Sequence, residues 1–230
     1  MNNQLSLQQE QLQAAFISKV YGWMSSALLI TGVVAMWAAS TPAVFNAIFP
    51  GDTMMPFYIL IAAEFGAVIY LSARINTMSA ERAGIVFILY SILNGLTLSM
   101  VFLIYTSSSI ASTFLVTAAT FGVMSAYGYM TKKDLTSIGN LAFMALIGLI
   151  IASVVNMFMN SEMMYWIITY AGVLIFVALT AYDTQKIKRM AAFDDGAEVS
   201  KKKSILGALT LYLDFVNLFL YLLRFMGNRK

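Results

Sequence analysis

Two carboxylates stand where carboxylates are costly. Asp214 lies in the apolar stretch ILGALTLYLDFVNLFLYLLRF (205–225), ten residues from its nearest basic neighbour on the C-terminal side, Arg224. An ionisable group near the centre of a bilayer-spanning helix costs roughly 2.5–3.5 kcal/mol on insertion scales, so such a residue marks a function. A neutral Asn would hydrogen-bond between helices without that cost. An Asp in its place means that its proton or its charge is used. Asp183 lies near the end of the preceding apolar run, and the polar stretch 194–203 falls about midway between the two acids. In an antiparallel hairpin folded at that stretch, residues equally far from the turn lie at equal depth. The two carboxyls are therefore expected to face each other. Two carboxyls sharing a low-dielectric site titrate as a coupled unit, which makes a proton switch. When ionised, the same oxygens are hard ligands for Ca²⁺, so Asp183 and Asp214 are also the candidate metal ligands.

The elements that must position this pair are membrane helices. The chain has 230 residues, of which 60% are hydrophobic and 11% charged, too apolar for a soluble globule of this size. Apolar runs mark seven spans, near 22–40, 56–73, 84–104, 110–130, 138–158, 163–184 and 205–225. The three prolines, Pro42, Pro50 and Pro56, cluster in or beside the first loop. Proline-free spans predict a bundle of regular helices. Gly122, Ser125, Gly148 and Ser153 are expected where helices approach closely. The fold class is all-α: a polytopic membrane protein with a polar cytoplasmic tail over 1–20 and one seven-helix domain over 21–230. In the tail, Leu5, Leu12 and Phe16 could form a thin apolar stripe on a helix.

Cysteine and histidine are both absent. Disulfides, thiolate chemistry and Cys-based metal sites are thereby excluded, and no side chain has an unperturbed pKa near neutrality. A pH response in that range must come from a strongly shifted group such as a buried carboxylate. By loop, eleven basic residues fall on the side of the N-terminus and three, Arg224, Arg229 and Lys230, on the other. The positive-inside rule then puts the N-terminus in the cytoplasm and the C-terminus outside. These basic residues read as topology signals and not as a nucleic-acid surface. Asp194, Asp195 and Glu198 precede a lysine run but lack the ligand spacing of an EF-hand loop.

On the last span, Gly207, Thr210, Asp214, Asn217, Tyr221 and Arg224 recur at steps of three and four, one face of an α-helix. Such a face must meet protein or a water-filled cavity, so the seventh span is expected to be central. Thr169, Gly172, Phe176, Thr180 and Asp183 make a second, weaker stripe. Glu64 in the second span and Asn94 in the third lie deep as well, as interhelical hydrogen-bonding partners or as parts of a pathway. Arg74, at the inner end of the second span, could reach an inner-half carboxylate and lock the helices shut.

The runs LTAYDTQKIK (179–188) and LGALTLYLDFVNLFLYLLRFMG (206–227), with NGLTLS (94–99) and KVYGWM (19–24), resemble the transmembrane Bax inhibitor motif family, close to its bacterial inner-membrane members. The resemblance covers nearly all of the chain. It implies a seventh helix wrapped by the other six, and a di-aspartyl sensor controlling a pH-dependent calcium leak. The sensor acids fall on Asp183 and Asp214, and a basic residue late in the second helix that pairs with the sixth-helix acid falls on Arg74. No tightly bound cofactor is implied. Ca²⁺ is the expected permeant ion, with H⁺ and the lipid bilayer as the other partners.

Three functions compete. The first is a cation leak gated by protonation of Asp183 and Asp214, with Arg74, Glu64, Asn94 and Asn217 as gating or pathway residues. The second is an intramembrane aspartyl protease, for which Tyr182-Asp183 is suggestive. Leu211-Tyr212-Leu213 stands where such an enzyme needs a Gly-x-Gly, and no proline follows Pro56. No enzyme is therefore expected. The third is a regulator that binds other membrane proteins, such as a quality-control protease, through its tail.

Overall fold

Proline and small polar residues set where helices start. The computed structural model describes residues 2–51, 53–191 and 196–230, with 2–10 by backbone alone, so the side chain of Leu5 and the acids Asp194 and Asp195 lie outside the described residues. The helices are α1 (Asn2–Ser40), α2 (Pro42–Ile48), α3 (Met55–Arg74), α4 (Ala80–Leu98), α5 (Val101–Ile104), α6 (Ser107–Met130), α7 (Thr136–Met159), α8 (Glu162–Met190) and α9 (Gly196–Met226). Pro42 and Pro56 sit in the first turns of α2 and α3, where a missing N–H costs nothing. Ser79 caps α4 and Thr106 caps α6, each accepting from an N–H three residues on. Asn160, at φ 48°, turns the chain out of α7 through the left-handed region.

Among the described residues no strand occurs, and seven helical segments are long and apolar enough to cross a membrane, α4 and α5 together making the third. Each overlaps one window expected from the sequence, and the chain is an all-α polytopic membrane protein. The first segment, Gln11–Ser40, starts within the expected tail. There α1 continues unbroken past residue 20, with Phe16 and Val20 buried and Leu12 exposed.

One span is less regular than its lack of proline predicts. Between α4 and α5 the Ser99 hydroxyl donates to Leu96 O at 2.6 Å, and its N–H donates to the same carbonyl at 3.3 Å. Hydroxyls that compete for helix carbonyls loosen the ladder without a proline.

The chain forms two units. The first draws on Met1–Tyr105, Met190–Leu209 and Lys230. In it α1 packs on α4 across Gly95, where a β-carbon would lie 2.8 Å from Thr31 O and from Val34 Cβ. Thr31 Oγ1 donates to Ser91 O at 2.9 Å over the same contact. Glu198, in the first turns of α9, accepts from Ala80 N at 2.7 Å and so supplies a charged cap to α4. The stretch 194–203, expected as a loop, is helical from Gly196 onward.

The second unit draws on Thr106–Arg189 and Thr210–Arg229. Here α6 meets α8 at Gly128, whose missing side chain admits the Ala181 carbonyl, and α7 meets α8 at Gly139, which lies against the Tyr182 ring. Phe215 of α9 sits edge-on between Phe114 and Phe121 of α6, at 5.5 and 5.4 Å between centroids. Of the small residues expected at close approaches, Ser125 is buried, but Gly122 and Gly148 face open space. A small residue permits close approach; only a partner on that face makes it happen.

Candidate functional site

Helix α8 buries the stripe that its spacing predicts: Thr169, Gly172, Phe176, Thr180 and Asp183. Thr169 and Thr180 satisfy their hydroxyls on their own helix, donating to Tyr165 O at 2.8 Å and Phe176 O at 2.7 Å. The face can thus be buried without a polar partner across the seam. Helix α9 runs antiparallel to it. Arg224 lies over the Tyr165 ring at 5.1 Å, and Tyr221 stacks on Phe176 at 5.9 Å. The Tyr221 ring also covers Gly172, where a β-carbon would stand 2.6 Å from its Cδ1.

At the other end of this seam the side chains of Asp183 and Asp214 are hydrogen-bonded to each other. They are 8% and 5% exposed, and Asp214 Oδ2 has no hydrogen-bond partner among the described residues. An ionised carboxylate only accepts, so a bond between two carboxyls requires an O–H on one of them. Two carboxyls this close hold one proton between them more cheaply than they ionise together. One residue on from Asp183, the Thr184 hydroxyl donates to the Ser125 hydroxyl of α6 at 3.4 Å.

The equal-depth expectation reaches the right pair for the wrong reason. Asp183 lies seven residues before the end of α8 at Met190, whereas Asp214 lies eighteen after α9 begins at Gly196. A simple hairpin closed there would hold them far out of register. Both acids belong to the second unit, to which α9 contributes from Thr210 onward.

The remaining candidates are placed as follows. Asn217 is half-buried, and its Nδ2 donates back to Leu213 O at 2.8 Å. Glu64 and Asn94 belong to the first unit, where Asn94 Nδ2 donates to Glu64 Oε2 at 2.9 Å and the Thr97 hydroxyl donates to Oε1. Both carboxylate oxygens of Glu64 are thus engaged between α3 and α4. Arg74, also in the first unit, is exposed at the end of α3, and its guanidinium makes no ion pair among the described residues. As a calcium site, the pair offers at most four oxygens, and no group of three or more His, Cys, Asp or Glu comes together among the described residues. Ca²⁺ takes 6–8 oxygens. Two carboxylates alone do not make a closed calcium cage.

A clamp that the sequence did not point to lies within two turns of Asp183. Gln185 Oε1 accepts from Leu135 N and from Arg189, each at 2.9 Å, while its Nε2 donates to Lys133 O at 2.8 Å. Lys188 donates to Tyr129 O at 2.8 Å and lies over the Tyr129 ring at 4.5 Å. The connection between α6 and α7 is thereby pinned to α8. The signal was the amide in Asp183-Thr184-Gln185-Lys186, masked by the charges after it. Arg189 also pairs with Asp134 at 2.9 Å. Asp134 is pulled down to about 2 by hydrogen bonds from the Thr136 hydroxyl and N–H and then from Arg189. A depressed folded pKa gives stability that is present above the usual value of about 3.9 and lost as pH falls through the folded one. In unfolding scans, the gap between wild type and Asp134→Asn is expected at neutral pH and should close by about pH 2. A gap of constant size would contradict this origin.

Comparison with known proteins places the chain in a family. The family described as Inhibitor of apoptosis-promoting Bax1 matches residues 13–230. Inner membrane protein YbhL of Escherichia coli K12 is 54% identical over 218 residues, 94% of this chain and 92% of that protein. A protein of Borreliella burgdorferi is 45% identical over 94% of this chain and 92% of its own. One of Deinococcus radiodurans is 37% identical over 94% and 90%. A match that runs through both aspartates, and through all but the first residues of the first span, leaves almost nothing of the membrane helices outside it: the chain belongs to the Inhibitor of apoptosis-promoting Bax1 family.

Proposed function

We propose that this chain is a pH-sensitive leak pathway for calcium in a bacterial inner membrane, with Asp183 and Asp214 as its titrating pair. The observation that carries the reading is the buried hydrogen bond between the two carboxyls, with Asp214 Oδ2 left over. Removing the shared proton puts two like charges in contact. At 4 Å and an effective dielectric of 20 they repel by about 4 kcal/mol. That repulsion is relieved when α8 and α9 part or when a divalent cation enters between the oxygens. Protons and Ca²⁺ thus compete for the same atoms.

The inner-membrane location is supported by the name of the Escherichia coli relative, and a cytoplasmic N-terminus by the eleven-to-three division of basic residues. Proteolysis is disfavoured, because α9 stays helical through Leu211-Tyr212-Leu213 and does not open its backbone beside Asp214. The family's description names an inhibitor of another protein, so a regulator of membrane partners is the second reading. It predicts partner capture that depends on residues 1–18 and persists in Asp214→Asn.

The test is calcium entry into dye-loaded liposomes between about pH 5 and 8, the range in which a perturbed group switches. Flux above that of protein-free liposomes, changing with pH, is expected. Liposomes that stay dark at every pH would remove the leak.

A further inference from the structure

At the end of the α8–α9 seam opposite the carboxyl pair, the last turn of α7, the first of α8 and the last of α9 line an open cavity of about 480 Å³. Two of its residues are arginines. Arg224 lies 5.1 Å over the Tyr165 ring and 5.5 Å over the Tyr221 ring, yet its guanidinium makes no hydrogen bond or ion pair among the described residues. A cation–π contact answers none of the five in-plane N–H donors of a guanidinium. Arg229 donates to the Tyr165 hydroxyl at 2.8 Å, so the same ring holds both cations at the cavity. Glu162 lines it too but is exposed and forms no ion pair with Arg224 among the described residues.

A cation in the last turn of α9 also answers the helix dipole, but a lysine would serve that purpose equally. A planar fork held by two aromatic rings is suited to an oxyanion with paired acceptors. The depth of the cavity identifies which oxyanion. It lies where spans end, with Trp166 on its wall, the level at which aromatic side chains meet lipid headgroups. From it, Met163, Ile167, Tyr170 and Leu174 continue along one face of α8, exposed by 75%, 55%, 53% and 70%. That face is apolar where acyl chains would lie. By loop, most basic residues fall on the other side of the membrane, so two arginines drawn together here oppose the general bias.

We infer that this cavity binds the phosphodiester of an anionic phospholipid, through Arg224 and Arg229, with the lipid chains along the Met163–Leu174 face. The ligand chemistry is a phosphate oxyanion, and free phosphate is the competing source.

Fluorescence of Trp166 reads the site directly once Trp23 and Trp37 are replaced by Phe. The full chain is reconstituted in bilayers containing brominated phosphatidylglycerol or brominated phosphatidylcholine at equal fraction. Quenching should favour phosphatidylglycerol by about fivefold in relative association, the preference that one basic residue gives at a membrane surface. Arg224→Gln should bring the ratio close to unity, and Arg224→Lys should retain part of it. Equal quenching by the two lipids before any arginine is changed overturns the assignment, as does a preference that survives in Arg224→Gln. A preference erased by millimolar inorganic phosphate means that free phosphate is the ligand, and the lipid assignment falls.

Discussion

Gly128→Ala is expected to destabilise the protein by about 3 kcal/mol, at the upper end of the usual cost of overpacking. A β-carbon at this position would meet the Ala181 carbonyl oxygen, with the carbonyl carbon at 2.9 Å and Cα at 3.0 Å. Backbone cannot rotate aside as a side chain can, so α6 and α8 must separate. They would do so two residues from Asp183, loosening the contact between Thr184 and Ser125. Gly122 on the same helix is the control. Nothing lies within 4 Å of a β-carbon placed there, so Gly122→Ala should be close to neutral. Thermal unfolding of the detergent-solubilised variants checks both, and equal midpoints for the two would refute the close approach.

Gly172→Ala should dislodge Tyr221. The added methyl would stand 2.6 Å from both Cδ1 and Cε1 of the ring and 2.7 Å from Cγ. The expected loss is about 1–3 kcal/mol. The ring is a contact between α8 and α9 that lies between the carboxyl pair and the cavity at Arg224, so under the proposed leak its displacement removes a barrier. Basal calcium flux should rise in Gly172→Ala and again in Tyr221→Ala. The second substitution made in the first background should relieve the strain, and its effect on flux should be far from additive, because both act on one ring. Independent, additive effects would place the barrier elsewhere.

The parts of this architecture legible in the sequence are those set by the solvent. Apolar runs of span length locate the membrane helices, because hydrocarbon forbids unsatisfied backbone there. The stripe from Thr169 to Asp183 was readable for the same reason: a polar group cannot face lipid cheaply. What was not legible depends on partners. Nothing in Gly122 distinguishes it from Gly128, and only the second meets a backbone carbonyl. The charged run after Gly196 looks like a loop, yet it is helix, and Glu198 within it caps α4 from 118 residues away. The pairing of Asp183 with Asp214 was foreseen from chemistry, but the hairpin symmetry offered for it fails once the true start of α9 is known. Gln185 was missed because an amide carries no charge to draw attention, although its three hydrogen bonds hold the connection between α6 and α7.

Under the proposed function, the two carboxyls act as one titrating unit that governs ion passage. Calcium flux against pH in Asp183→Asn, Asp214→Asn and the double variant tests it most directly. If the pair shares its proton, each single substitution should flatten the pH profile, and the double variant should differ little from either one. A pH response that survives intact in Asp214→Asn, or single effects that simply add in the double variant, would contradict it.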